Sequence, residues 1–374
     1  MKPPRSPWHK NLLKLFKWVG ICLAAILALA LGTVFATRAV KAGQTKINAE
    51  NGIQESAYVE LNGIRQFVQI RGEDRENPVI LMLHGGPGSP ITFLSSTYQR
   101  ALEKDYTLVN FDQRGSGRTY YANQNAGVPL STQAILQDID ALVEYLKERF
   151  RQEKVVILGH SWGTILGSAY SKAHPEKVSA YIGVGQCVNN MEGDAFAAEE
   201  AIRRARENGD TQTAENISEL LHEYSNSTST DIAKKFMLTM EIRSIGTSYF
   251  HYEGEVPMPQ TIWLGLSSPD MSLDDMRWFL ALNGSFEDFL ALEEPLLEDC
   301  LTFRLEDLGS AYSVPVYYIS GENDWITPTA LVKEYYQTVE APRREMIILP
   351  NAGHSPFVDD PEAFCAAVAD LLQK

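Results

Sequence analysis

The chain has 374 residues, 44% of them hydrophobic and 22% charged, which supplies a buried core and excludes a mostly disordered polymer. Its 33 basic and 48 acidic residues give a net charge of −15, but the first 46 residues hold eight Lys or Arg and no acid, leaving 25 basic against 48 acidic residues, or −23, for the rest. A body this acidic repels phosphate backbones, which excludes nucleic acid as its partner, and four cysteines (Cys22, Cys187, Cys300, Cys365) with no C-x-x-C spacing exclude a zinc ribbon or a disulfide scaffold.

From Trp18 to Thr37 there is no charged residue. At about 1.5 Å per residue, a helix of that length spans the roughly 30 Å hydrocarbon core of a bilayer. Basic residues are denser before this run than after it, where Arg38, Lys41 and Lys46 follow, so the positive-inside rule predicts a cytoplasmic N-terminus and an extracytoplasmic body from residue 47 onward. Ala28-Leu29-Ala30 offers a signal-peptidase site and hence an alternative, secreted form. The apolar run continues through Leu31, Val34 and Phe35, which favours an uncleaved single-pass anchor at residues 18–37.

Residues 41–55 read as a polar linker. Tyr58–Leu61 and Arg65–Ile70 alternate around Asn62-Gly63 and predict a β-hairpin. Pro78–Leu83, Tyr106–Phe111 and Lys154–Leu158 are continuous apolar runs of the kind buried on both faces of a parallel sheet. Ile135, Leu136, Ile139, Leu142, Val143 and Leu146 recur at three and four and mark an amphipathic helix between the second and third runs. A helix through about His174 and a strand at Val178–Gly183 follow; Val314–Ile319 and Glu345–Leu349 supply two late strands. The alternation predicts an α/β fold with a mainly parallel sheet. Residues 188–310 break it, with helices predicted at 195–208, 231–240 and 273–282. The expected domains are thus a tail, anchor and linker at 1–46, a core in two parts (47–187 and 311–374), and a helical cap at 188–310.

Gly159-His160-Ser161-Trp162-Gly163 directly follows a buried strand and precedes a helix-compatible sequence, the setting of a nucleophile elbow. A serine hydroxyl needs a base in reach and a carboxylate to orient that base. Among seven histidines only His354 follows a late strand, in Asn351-Ala352-Gly353-His354, and Asp324 follows the strand before it, in Gly321-Glu322-Asn323-Asp324. Ser161, Asp324 and His354 therefore stand as a candidate triad, with Glu322, Asp359 and Asp360 as rival acids. Oxyanion donors are expected from the backbone N–H groups of Trp162 and of Gly86 in His84-Gly85-Gly86-Pro87-Gly88, with Gly85 as rival. Neither a metal nor an organic cofactor is called for by this chemistry.

HGGPG (84–88), DQRGSGRT (112–119), GHSWG (159–163), GEND (321–324) and NAGH (351–354), in this order, resemble the proline iminopeptidase family of α/β-hydrolases over roughly residues 56–186 and 313–372. The resemblance implies an α/β-hydrolase fold, the Ser161–Asp324–His354 triad, a bracing loop at Asp112–Arg118, and a cap whose acids bind the free α-amino group of a small peptide or amide. Glu192, Glu199, Glu200 and Glu241 are the cap acids named for that task, and Trp263, Trp278 and Phe286 the aromatics for an apolar slot. The expected activity is release of N-terminal proline or small residues. An esterase with the same triad and a non-catalytic ligand-binding receptor are the alternatives; oligomeric state is open.

Overall fold

The structure, a computed structural model, describes residues 7–124, 126–127, 129–227 and 231–373. Helix α1 (Pro7–Gln44) contains the whole uncharged run and continues past it. The linker is consequently shorter than the sequence suggests: no proline interrupts residues 38–44, the helix persists to Gln44, and Ile53 already begins a strand, 2% exposed. Strands β1 (Ile53–Leu61) and β2 (Ile64–Gly72) pair antiparallel. Asn62 and Gly63, at φ 49° and 78°, both take the left-handed conformation that a two-residue turn between twisted strands needs.

Strand β3 (Val79–Leu83), the short helix α2 (Ser95–Tyr98) and strand β4 (Thr107–Phe111) follow, then helices α3 (Gly117–Asn123) and α4 (Thr132–Phe150). Strand β5 (Val155–His160), helix α5 (Trp162–Ala173) and strand β6 (Val178–Val184) complete the first part of the sheet. Every residue of β3, β4 and β5 is buried, as their uninterrupted apolar sequences require when helices cover both faces. Helix α4 starts where the Ser131 hydroxyl accepts the Ala134 N–H at 3.2 Å, and it buries Ile135, Ile139, Leu142, Val143 and Leu146 on the sheet.

After β6 come α6 (Asn190–Glu207), α7 (Thr211–Asn226), α8 (Ile232–Gly246), α9 (Met258–Leu266), α10 (Leu273–Leu282) and α11 (Phe286–Leu301). Helices α6, α8 and α10 coincide with the three predicted; α7, α9 and α11 were not legible. Helix α7 buries only Ala214, Ile217 and Tyr224, too sparse a stripe to stand out. Helix α9 follows Pro257 and carries Pro259 in its first turn, and α11 contains Pro295, residues that in sequence read as breaks. Strand β7 (Val316–Gly321), helix α12 (Thr329–Thr338), strand β8 (Arg344–Leu349) and helices α13 (Pro356–Asp359) and α14 (Pro361–Gln373) close the chain.

The sheet order is β1-β2-β4-β3-β5-β6-β7-β8, antiparallel across β1-β2-β4 and parallel from β4 to β8. Register aligns the strand ends: Leu83 faces Gly159, His160 faces Val184, Val184 faces Ile319, and Gly321 faces Leu349. The loops after β3, β5, β7 and β8 therefore leave one edge of the sheet, where open α/β sheets place their ligand crevice. Two large apolar clusters sit on the two faces of the sheet, and a third, built around Ala198, Ala201, Ile217 and Ile242, lies within α6–α8.

Candidate active site

Ser161 sits between β5 and α5 with φ 53° and ψ −122°, a conformation an L-residue adopts only where the surroundings hold it. Its N–H donates to the Val184 carbonyl at 3.0 Å, and its carbonyl accepts the Thr164 N–H at 2.7 Å and the Thr164 hydroxyl at 2.6 Å. The flanking glycines are required by contact: a Cβ on Gly163 would overlap the Leu83 carbonyl, and one on Gly85 would lie 3.0 Å from Ser161 Cβ. The loop after β3 is thus pressed directly against the serine. Trp162 opens α5, so its N–H belongs to the first turn, whose donors have no intrahelical acceptor. Its buried indole N–H donates to Gln113 Oε1 at 3.2 Å.

His354 Nδ1 lies 3.0 Å from Asp324 Oδ2 and 3.1 Å from Oδ1. Asp324 is 2% exposed and also accepts the N–H groups of Ile326 (3.0 Å) and Thr327 (2.9 Å) and the Thr327 hydroxyl (2.7 Å). Burial pushes its carboxyl up, but the facing imidazole and the Thr327 donors outweigh burial and hold it below the ordinary carboxylate range. The rivals are otherwise engaged. Glu322 is exposed, and Asp360 accepts the Ala363 N–H. Asp359 accepts the Gly353 N–H at 2.9 Å and the Tyr252 hydroxyl at 2.7 Å, which braces the His354 loop.

The neighbour of Ser161 joins the two halves of this arrangement. His160 Nε2 donates to the His354 carbonyl at 2.9 Å, and the two rings lie 5.0 Å apart. Burial, followed by the nearby His354, depresses His160 to about 3, so it stays neutral. His84 is likewise lowered by burial to about 4; the Gln113 N–H donates to its Nε2 at 3.1 Å, which leaves Nδ1 to donate to the Gly85 carbonyl at 2.9 Å.

Loop 112–118 braces the site. Burial raises Asp112 to about 6 against the opposing pull of Arg118, and its carboxylate accepts the Thr92 hydroxyl at 2.7 Å and the Arg118 N–H at 2.8 Å. Arg114 forks onto Asp138 at 2.7 and 2.8 Å, while Arg118 crosses to Asp275 on α10, 2.6 Å from Nη2 to Oδ2, and also donates to the Asp270 carbonyl. This pair ties α10 to the loop after β4.

The four cap glutamates named from sequence do not present buried carboxylates. Glu192, Glu199 and Glu241 are exposed, and Glu200 is neutralised by Arg203 and Arg204 at 2.6 and 2.7 Å, because each lies on an outer helix face. A different acid is buried. Glu293 on α11 is 1% exposed, neither carboxylate oxygen has a hydrogen-bond partner among the described residues, and burial raises its pKa to about 8. It packs so tightly on the Gly85–Gly88 loop that a Cβ on Gly88 would overlap its carboxyl group. Sequence reasoning missed it because Glu293 stands beside Glu294 in an acid-rich segment and nothing local separates it from Glu287, Glu294 or Glu298.

Among the aromatics, Trp278 is buried and donates Nε1–H to the Gly88 carbonyl at 2.7 Å, whereas Trp263 is 40% exposed; the Phe286 side chain lies outside the described residues. Trp325, the residue after Asp324, stacks on Phe250 at 4.7 Å, and the Arg204 guanidinium lies 4.8 Å from its ring centroid. No cluster of three or more His, Cys, Asp or Glu suited to a metal occurs among the described residues.

A strand-turn-helix elbow carrying Ser161 and a histidine–aspartate pair, both at the carboxyl edge of a largely parallel sheet, are the marks of an α/β-hydrolase. Residues 78–361 match the sequence profile of the α/β hydrolase fold family, and the chain belongs to it. Two relatives similar in sequence over most of the chain are peptidases by name. A probable aminopeptidase of Bacillus subtilis is 28% identical over 306 residues, covering 81% of this chain and 92% of that one. A proline iminopeptidase of Heyndrickxia coagulans is 26% identical over 337 residues, covering 84% and 97%. The crystal structure of a proline iminopeptidase-related protein from Thermus thermophilus superposes with a TM-score of 0.57 at 21% identity, over 86% of this chain and 98% of that one, and shares the fold.

Proposed function

We propose that this hydrolase is a serine aminopeptidase of the proline iminopeptidase type, held at a membrane by residues 18–37 with its body extracytoplasmic. Ser161 Oγ attacks the substrate carbonyl while His354 takes its proton, oriented by Asp324 through Nδ1. The N–H groups of Gly86 and Trp162 stabilise the oxyanion, His354 returns the proton to the leaving amine, and water then releases the acyl group by the same route. Residues 188–310 act as the cap over this site.

The observation that carries the aminopeptidase reading is Glu293. A carboxyl buried against the Gly85–Gly88 loop with no partner among the described residues is costly to ionise, and a substrate ammonium placed beside it supplies a partner. An ester site built only for apolar substrates has no use for that group. Labelling with a fluorophosphonate tests the nucleophile: the wild-type protein reacts once per chain and Ser161→Ala does not. Turnover of prolyl and alanyl arylamides, compared with their N-acetylated forms and with p-nitrophenyl esters, tests the substrate class. Equal turnover of free and acetylated amides would sink the aminopeptidase assignment and leave the esterase.

A further inference from the structure

The anchor helix and the cap are in direct contact. Arg38, the first charged residue beyond the apolar run, donates Nε–H to the Leu266 carbonyl at 2.7 Å and Nη1–H to the Met271 carbonyl at 3.3 Å, and Lys41 Nζ donates to Ser267 Oγ at 2.6 Å. These bonds fix the 266–271 turn, which joins α9 to α10, at the level where the uncharged run ends. Val34, Thr37, Arg38 and Lys41 are the half-buried positions in this part of α1, one face of the helix turned to the body.

On both sides of that turn the cap leaves large apolar side chains in the open: Met258, Ile262 and Trp263 on α9, and Leu273, Phe279 and Leu280 on α10, of which Leu273 is 73% exposed. Leu273 and Leu280 are seven apart and share one face of α10 with Arg277, which is paired to Asp274 at 2.9 Å. Its other face is committed to the site, through Asp275 to Arg118 and through Trp278 to the Gly88 carbonyl. One helix thus carries an unpartnered apolar face and, behind it, the contacts that hold the oxyanion loop.

We propose that the exposed apolar faces of α9 and α10 lie in the lipid interface of the bilayer that α1 spans, so that the active site works at the membrane surface. The inference rests on the reading of residues 18–37 as a membrane anchor. The tether argues for lipid over a protein partner, because hydrogen bonds from Arg38 and Lys41 hold the patch beside the end of the span in every copy of the chain. Trp263 is an aromatic of the kind that settles at the headgroup level. The two acids of α10 are paired in place, Asp274 with Arg277 and Asp275 with Arg118, so neither presents an unbalanced negative charge to lipid. A shallow, largely apolar face whose exposed arginine is already paired to Asp274 inserts by burying hydrocarbon and does not depend on anionic headgroups.

The experiment uses the full chain with Cys22→Ala, reconstituted in phosphatidylcholine nanodiscs containing lipids with a nitroxide near the headgroup end of the acyl chain. An environment-sensitive fluorophore is attached in turn to Leu273→Cys, Leu280→Cys, Phe35→Cys within the span, and Glu153→Cys on the exposed opposite edge of the sheet, with the Cys22→Ala parent giving the background. Positions 273 and 280 are expected to lose most of their fluorescence to the nitroxide, as position 35 does, while position 153 keeps it, and the loss persists at high salt. Quenching at 35 with none at 273 and 280 would leave the anchor standing and overturn the docking. Absence of quenching at 35 would remove the anchor and the inference together.

Discussion

Glu293→Gln keeps the shape of the side chain and abolishes its titration, so it isolates what the buried carboxyl does. In the folded protein the group binds its proton up to about pH 8, whereas the unfolded chain releases it near 4.5. Between those values the folded state binds more protons than the unfolded state, so this group makes stability fall as pH rises, and the loss is complete above about 8. At about 1.4 kcal/mol per pH unit the ceiling on that loss is about 5 kcal/mol. Near pH 5 the wild-type and Gln proteins should unfold together. Near pH 9 the Gln variant should be the more stable, by roughly 10 °C in Tm at about 2 °C per kcal/mol for a body of this size. Thermal unfolding of both proteins from pH 5 to 9 reads this directly. Parallel curves at every pH would refute the reasoning, because they would mean the carboxyl is hydrated or paired. The same variant should lower kcat/KM for free-amine arylamides by roughly 10- to 100-fold, the worth of one charge-assisted contact, and leave p-nitrophenyl ester turnover unchanged. Because an ammonium favours the ionised carboxylate, substrate binding at pH 7 should release a proton, measurable as a buffer-dependent enthalpy in calorimetry of a non-hydrolysed amine analogue with wild type and its absence with Gln.

Asp324→Asn should lower kcat by about 10⁴-fold with Tm little changed, since it alters which His354 tautomer is held; turnover within tenfold of wild type would dismiss Asp324. Arg118→Ala leaves Asp275 buried without its partner and should cost about 3–5 kcal/mol in denaturant unfolding, with cap protections in hydrogen exchange lost first. Burial lowers His84 and His160 to about 4 and 3, so below pH 6.5 the unfolded chain binds extra protons there and each ring lowers stability as pH falls, against the opposite trend from Glu293 and Asp112 over the same range; His84→Gln, which removes one of the two rings, should therefore lose less stability than wild type between pH 7 and 4.5, and unfolding midpoints that stay parallel over that range would contradict its burial as a neutral ring. Gly163→Ala should prevent a native elbow, because the added methyl meets the Leu83 carbonyl, a backbone atom with nowhere to move; soluble, fluorophosphonate-reactive protein would disprove that contact.

The linear sequence determined the strands that are buried on both faces, because an uninterrupted apolar run such as Val79–Leu83 has few other ways to avoid water. It also determined the hairpin at Asn62-Gly63, the elbow at Ser161, and the loops that hold Asp324 and His354, since each depends on neighbours in the chain. Helices α7, α9 and α11 depend instead on what they pack against: a sparse stripe or an internal proline is tolerated only when tertiary contacts supply the stability that the local sequence lacks. The candidate amine site shows the same division. Charge and residue type are identical along the cap's many glutamates, and only the fold distinguishes Glu200, matched to two arginines on its own helix, from Glu293, turned inward onto a glycine loop more than two hundred positions earlier. Burial and unpaired oxygens are properties of three-dimensional proximity, and no local pattern in the chain encodes them.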